Sequence, residues 1–241
     1  VTLELGGKSA NIVFPQANLP EAVKWAAFGV YENMGQSCSA GSRILVHEEV
    51  YDEFVRLFVE AVKAIKVGDP LDQETFQGAQ VSKVQFDKIL GYIEEGKKSS
   101  ARLVAGGSRH GEKGYFIQPT VFADVTMEHK IAQEEIFGPV AAIIKFKTEE
   151  EAIEIANGTE YGLAAAVHSE NISQVHRVTR RLKAGTIWVN QYVMLSHQCP
   201  FGGYKASGWG RELGVEGLEA YLQVKTVHHY YGDDFEWPIV L

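Results

Sequence analysis

Apolar residues recur at helical spacing most clearly across residues 48–65, where Val50, Phe54, Leu57, Phe58, Ala61, Val62 and Ile65 share one face. That stripe predicts an amphipathic helix packed on a core. Pro20 suits a first helical turn, and Ala22, Val23, Ala26, Ala27 and Val30 continue at helical spacing. A further helix is expected over residues 82–98, carrying Val84, Ile89, Tyr92 and Ile93. Between these lie short runs that read as strands: 2–5, 10–14 closed by Pro15, 42–47, 102–105 and 116–121, the last two around a glycine-rich hairpin. From Ala141 strands (to 146, 163–167, 185–189) alternate with helices (149–156, 171–182). Such alternation predicts an α/β fold, a doubly wound, mostly parallel sheet with right-handed crossovers. Residues 224–229 read as one more strand, beyond that sheet. The expected organisation is one main domain over 1–222 followed by a strand and tail over 223–241.

Composition narrows the partners. With 241 residues, 45% hydrophobic and 22% charged, the chain can bury a substantial core. A formal net charge of −8 argues against nucleic acid and anionic membrane surfaces, and no basic stripe interleaved with aromatics is present. No apolar run reaches the roughly 18 residues of a membrane span. Two cysteines make no disulfide framework and fit an intracellular, reducing setting, with the cytoplasm as the expected compartment. The eight histidines are scattered without metal-ligand spacing, so no metal site is expected. No strand-to-helix glycine fingerprint for a dinucleotide occurs.

The candidate chemistry sits in Met34-Gly35-Gln36-Ser37-Cys38-Ser39-Ala40-Gly41. A structural cysteine usually has apolar neighbours. Here two glycines permit a tight turn and the flanking polar residues present the thiol. A free cysteine is only a few per cent thiolate at pH 7, so it needs a base, and Glu4 upstream is the candidate.

Glu4-Leu5-Gly6-Gly7-Lys8, Gly35-Gln36-Ser37-Cys38, Glu134-Glu135-Ile136-Phe137-Gly138-Pro139, Tyr161-Gly162-Leu163-Ala164, Asn190, Pro200-Phe201-Gly202-Gly203-Tyr204-Lys205 and Gly210-Arg211-Glu212-Leu213-Gly214, in that order, resemble the aldehyde dehydrogenase superfamily. The tetrameric class-1/2 type is the nearest match, over residues 1 to about 230. The resemblance implies the family's catalytic-domain fold, with about as much chain again upstream carrying most of the cofactor domain. It implies that Cys38 attacks an aldehyde to give a thiohemiacetal, that hydride leaves to NAD(P)+, and that water activated by Glu4 hydrolyses the thioester. The Cys38 backbone N–H would help hold the oxyanion, with a side-chain partner from the upstream half. Glu212 would relay protons towards Glu4, its alternative being a solvated helix charge. Glu135 would bind the nicotinamide ribose and Phe137 would flank the nicotinamide or simply pack in the core. Gln85 and Phe86 would make peripheral cofactor contacts. The NAD(P) site would thus be incomplete in this chain, and a separate cofactor domain is a possible partner.

Residues 193–199 match the family's substrate-tunnel loop, so Leu195, Cys199 and Phe201, with Tyr31 before the nucleophile loop, are the expected pocket for a small carbonyl substrate. Cys199 is either a wall residue or a second thiol. Trp209 is bulky for a glycine-rich turn and could narrow the site or fill a gap. The strand at 224–229 matches one that pairs between subunits, and the expected state is a homo-oligomer, with the tail 230–238 as another possible cover for exposed apolar surface. Two other readings remain open: a free-standing homologue doing cofactor-independent ester or thioester hydrolysis, isomerisation or cyclisation, and a non-catalytic assembly protein.

Overall fold

The short apolar runs become neighbours in one sheet. The computed structural model describes residues 1–232 together with Glu236 and Pro238. In chain order its elements are β1 (Leu3–Glu4), β2 (Ala10–Val13), α1 (Leu19–Tyr31), β3 (Arg43–His47), α2 (Tyr51–Lys63), α3 (Lys83–Lys98), β4 (Arg102–Ala105), β5 (Thr120–Val125), α4 (Lys130–Gln133) and β6 (Val140–Phe146). They continue with α5 (Glu149–Asn157), β7 (Tyr161–Gly162), β8 (Ala164–His168), α6 (Ile172–Thr179), β9 (Thr186–Val189), β10 (Tyr204–Lys205), β11 (Gly208–Trp209) and α7 (Gly214–Glu219).

Seven strands form the main sheet in the order β4-β5-β6-β3-β2-β8-β9, parallel except for the antiparallel edge β4. Strands buried on both faces read as continuous apolar runs, and β2 and β6 do so here. Phe54, Phe58 and Val62 of α2 cover one face with Val23, Ala26 and Val30 of α1. Ile89 and Ile93 of α3, Ile153 of α5 and Val175 and Val178 of α6 cover the other. Side-chain oxygens start the helices where the sequence places them: Asn18 accepts the Glu21 N–H at 3.3 Å, and Ser82 the Gln85 N–H at 3.2 Å.

Three expectations shift. The strand expected over 116–121 is split at Pro119, which has no N–H for the ladder: residues 116–118 pair only with 108–110 across the hairpin, and β5 begins at Thr120. The long helix of 48–65 opens with a 3₁₀ turn, Glu48–Val50, before α2. Residues 224–229 carry no strand in the single chain, and Val224 is 99% exposed. A strand needs an edge to pair with, and none of the described residues supplies one there. Of the proposed covering tail, Phe235 and Trp237 lie outside the described residues. No helix among the described residues is long and apolar enough to cross a membrane.

The sheet's geometry decides where the site lies. Ala10, Arg43 and Ala142 stand in register across β2, β3 and β6. Lys8, Cys38 and Glu135 each precede one of these strands, so all three gather at the strands' amino ends. Two small ribbons border that edge: β1 with β11, and β7 with β10.

Candidate active site

Glycines let three backbone segments meet more closely than side chains would allow. A Cβ on Gly7 would lie 2.4 Å from the Cys38 carbonyl oxygen, and one on Gly6, whose φ is +89°, would lie 2.6 Å from Glu135 Oε2. Gly7 N–H donates to Glu135 Oε1 at 3.0 Å. The segment carrying Glu4 is therefore held between the cysteine loop and Glu135. On the far side of the loop, a Cβ on Gly35 would come within 2.3 Å of the Gly138 carbonyl.

The chain enters the cysteine loop through three consecutive left-handed residues, Asn33 (φ 50°), Met34 (φ 59°) and Gly35 (φ 71°). Two are not glycine, a conformation that persists only where surroundings fix it. The fixing bonds are present: Asn33 Nδ2 donates to the Gln36 carbonyl at 2.9 Å, and Gln36 Oε1 accepts the Val81 N–H at 2.9 Å.

Cys38 ends up half-buried. Burial pushes its thiol up, the Glu4 and Glu135 carboxylates push it further, and the nearby backbone N–H groups of Ser39 and Cys38 oppose them. The resting group is a thiol. Glu4 is exposed on β1, and its carboxyl is raised, first by partial burial and then by the Glu212 charge, which brings it closer to the range of a general base.

The remaining expected residues separate into those at this edge and those elsewhere. Glu212 is exposed and lies before α7, not on a helix. Its backbone exchanges two 2.7 Å hydrogen bonds with Phe201, which is buried beneath it. Leu195 and Cys199 are exposed on the 193–199 loop. Phe137 is half-buried with φ 58°. Trp209 is exposed on β11 opposite Leu3.

One assignment is corrected. Tyr31 does not line a pocket: it is fully buried in the α1/α2 core, donates to the Thr120 carbonyl at 2.9 Å and stands 6.2 Å from the Phe58 ring. It is the last residue of α1, and the helix's buried face carries it inward. Gln85 has its amide nitrogen engaged with the carbonyls of Ile136 (3.0 Å) and Phe137 (2.7 Å), so it braces the Phe137 turn, while Phe86 belongs to the core. Among the described residues no group of three or more His, Cys, Asp and Glu could hold a metal ion.

The sequence reading passed over two residues. Lys8 is 2% exposed, and its Nζ has no hydrogen-bond partner among the described residues. It borders a cavity with room for about one water (about 10 Å³), shared with Arg43, Tyr161 and Leu163. Burial lowers its pKa to about 7, helped by Arg43 and opposed by Glu135 and Glu134. A lysine leading directly into a wholly buried strand was a usable signal. Tyr192, fully buried with its hydroxyl on the Ser39 carbonyl at 2.9 Å, gave none, because its partner lies 153 residues away.

A sequence model of the aldehyde dehydrogenase family matches residues 1–227. An aldehyde dehydrogenase of Emericella nidulans is 61% identical over 233 residues, covering 97% of this chain and 47% of that protein. Among solved structures, an NAD-dependent aldehyde dehydrogenase from Sinorhizobium meliloti superimposes with a TM-score of 0.96 at 44% identity, covering 99% of this chain and 48% of that one. The NAD+ complex of an aldehyde dehydrogenase from Bacillus cereus gives 0.92 at 51% identity, covering 94% and 46%. The chain thus spans about half the length of the relatives it matches.

Proposed function

The chain belongs to the aldehyde dehydrogenase family, and on that premise we propose that it carries the thiol half of an aldehyde-oxidising site, with Cys38 as nucleophile and Glu4 as base. The observation that carries this reading is the packing of Gly7 against both the Cys38 carbonyl and Glu135, which brings nucleophile loop, base-bearing segment and cofactor-side carboxylate to one edge. Cys38 Sγ adds to the aldehyde carbon as its proton passes to Glu4, giving a thiohemiacetal. The Cys38 N–H would share the oxyanion's charge. The thioester that would remain after hydride removal, with the hydroxyl proton lost to solvent, is opened by water: Glu4, having passed the thiol proton on to solvent, takes a proton from that water, and the acid is released as Cys38 leaves as thiolate, sulfur being a good leaving group. Glu212 keeps Glu4 basic through its charge.

A nicotinamide cofactor, when bound, supplies the hydride acceptor. The residues fit part of one. Glu135 is a half-buried carboxylate whose Oε2 is free of the Gly7 bond, suited to a ribose hydroxyl, and Phe137 offers a half-exposed ring held by Gln85. Solved relatives at this likeness were seen with NAD+. The hosts for phosphate and adenine would come from chain beyond these residues. The apolar surface at Trp209, Leu218 and Tyr221 fits cover by such chain or by a second copy.

Cofactor-free hydrolysis of an activated ester isolates the thiol and base. The expected result is turnover that falls at least about 10²-fold in Cys38→Ala and in Glu4→Gln. Turnover unchanged in Cys38→Ala would overturn the reading.

A further inference from the structure

The Cys38 loop and the 193–199 loop, the expected wall of the substrate pocket, are far apart in sequence, and an aromatic pair ties them together. The rings of Trp188 and Tyr192 lie 4.8 Å apart. Trp188 Nε1 donates to the Met194 carbonyl at 2.8 Å, in the pocket loop, and Tyr192 Oη donates to the Ser39 carbonyl at 2.9 Å, in the cysteine loop. The Tyr192 ring fills a slot made by two glycines: a Cβ on Gly29 would come within 2.6 Å of it, and one on Gly41 within 2.8 Å. Gly41 N–H in turn donates to the Gly29 carbonyl at 3.0 Å, closing the loop onto α1.

We propose that Tyr192, braced by Trp188, is a positioning residue that fixes the Cys38 loop against the pocket loop and so sets the backbone surroundings of the thiol. The inference rests on Cys38 being the nucleophile. A phenylalanine would fill the glycine slot equally well, so packing alone does not call for the hydroxyl. It donates to the Ser39 carbonyl, with the Ser9 hydroxyl also beside it, and without it that buried carbonyl loses this donor. Asn190 (φ 53°) and Val193 (φ 65°) on either side of Tyr192 are held in left-handed backbone, a geometry maintained by the contacts around it. The N–H groups of Cys38 and Ser39 are what oppose the upward push on the thiol, so a loosened loop leaves the sulfur with burial and the neighbouring carboxylates alone.

Tyr192→Phe keeps the ring and removes the hydroxyl. The test follows alkylation of Cys38 and Cys199 by iodoacetamide in the same molecules, resolved by peptide mass, between about pH 7 and about pH 10. The exposed Cys199 serves as the internal control. We expect the Cys38 midpoint to move up and its rate near pH 8 to fall about three- to tenfold, as one lost hydrogen bond implies, with Cys199 unchanged. An unchanged or faster Cys38, or equal changes at both thiols, would overturn the proposal. Ester turnover that persists in Cys38→Ala would remove the nucleophile reading separately, since the alkylation profile of Cys38 in Tyr192→Phe does not depend on turnover.

Discussion

Lys8→Met is expected to stabilise the folded chain by about 2–4 kcal/mol near pH 6 and by much less near pH 11. The ammonium is buried without a hydrogen-bond partner among the described residues, so folding below neutral pH carries an uncompensated charge inward. Burial displaces the pKa from 10.5 to about 7. At about 1.4 kcal/mol per pH unit this bounds the effect near 5 kcal/mol, and imperfect repacking of methionine reduces it. The folded pKa lies below the unfolded one, so between about 7 and 10.5 the unfolded chain binds the extra proton. Wild-type stability therefore rises with pH across that window, and the advantage of methionine shrinks with it. Denaturant unfolding of both proteins at the two pH values checks this. Equal differences at both, or a destabilised variant, would show that the ammonium is compensated. The substitution also removes a positive charge that holds the Glu135 carboxyl down against its burial, so Glu135 moves further up. The most stable version of this edge is thus not the one with the best-ionised cofactor-side carboxylate.

Gly7→Ala is expected to cut thiol-dependent ester turnover about 10²-fold while lowering stability by about 1–3 kcal/mol. The new methyl would sit 2.4 Å from the Cys38 carbonyl oxygen and 3.3 Å from Leu163 Cβ. Both neighbours are fixed: the first is backbone, and the second packs at the start of β8. The Cys38–Ser39 peptide must therefore rotate or shift, and the backbone around the thiol moves with it. The Gly7 N–H bond to Glu135 is strained by the same displacement. Thermal melts and ester kinetics on one preparation separate the two effects. Turnover that falls only in proportion to the folded fraction would mean that the contact is merely structural.

The doubly wound sheet was legible because its strands are buried on both faces and stand out as apolar runs between amphipathic helices. The order of family motifs was legible too. Less so were the features that depend on what lies across space. Tyr31 looked like a wall residue because it immediately precedes the nucleophile loop, but the helix it ends turns that side chain into the core. Gln85 has the chemistry of a ligand contact, and only the fold shows its amide spent on Ile136 and Phe137. Lys8 was visible as a charge in a glycine motif, yet its burial follows from Arg43, which bonds the Lys8 carbonyl at 2.8 Å and shares its side of the sheet. Residues 224–229 have strand composition and no strand, since pairing is a property of two edges.

Capture of an acyl group on Cys38 tests the central claim most directly. Glu4→Gln incubated with an activated acetyl ester until labelling plateaus, quenched in acid and mapped by peptide mass should carry one acetyl group on Cys38, because acylation still proceeds slowly and the base for hydrolysis is gone. Wild type should show little at steady state. An acetyl group on Cys199 or a lysine, or none on Cys38 in either protein, would contradict the assignment of nucleophile and base.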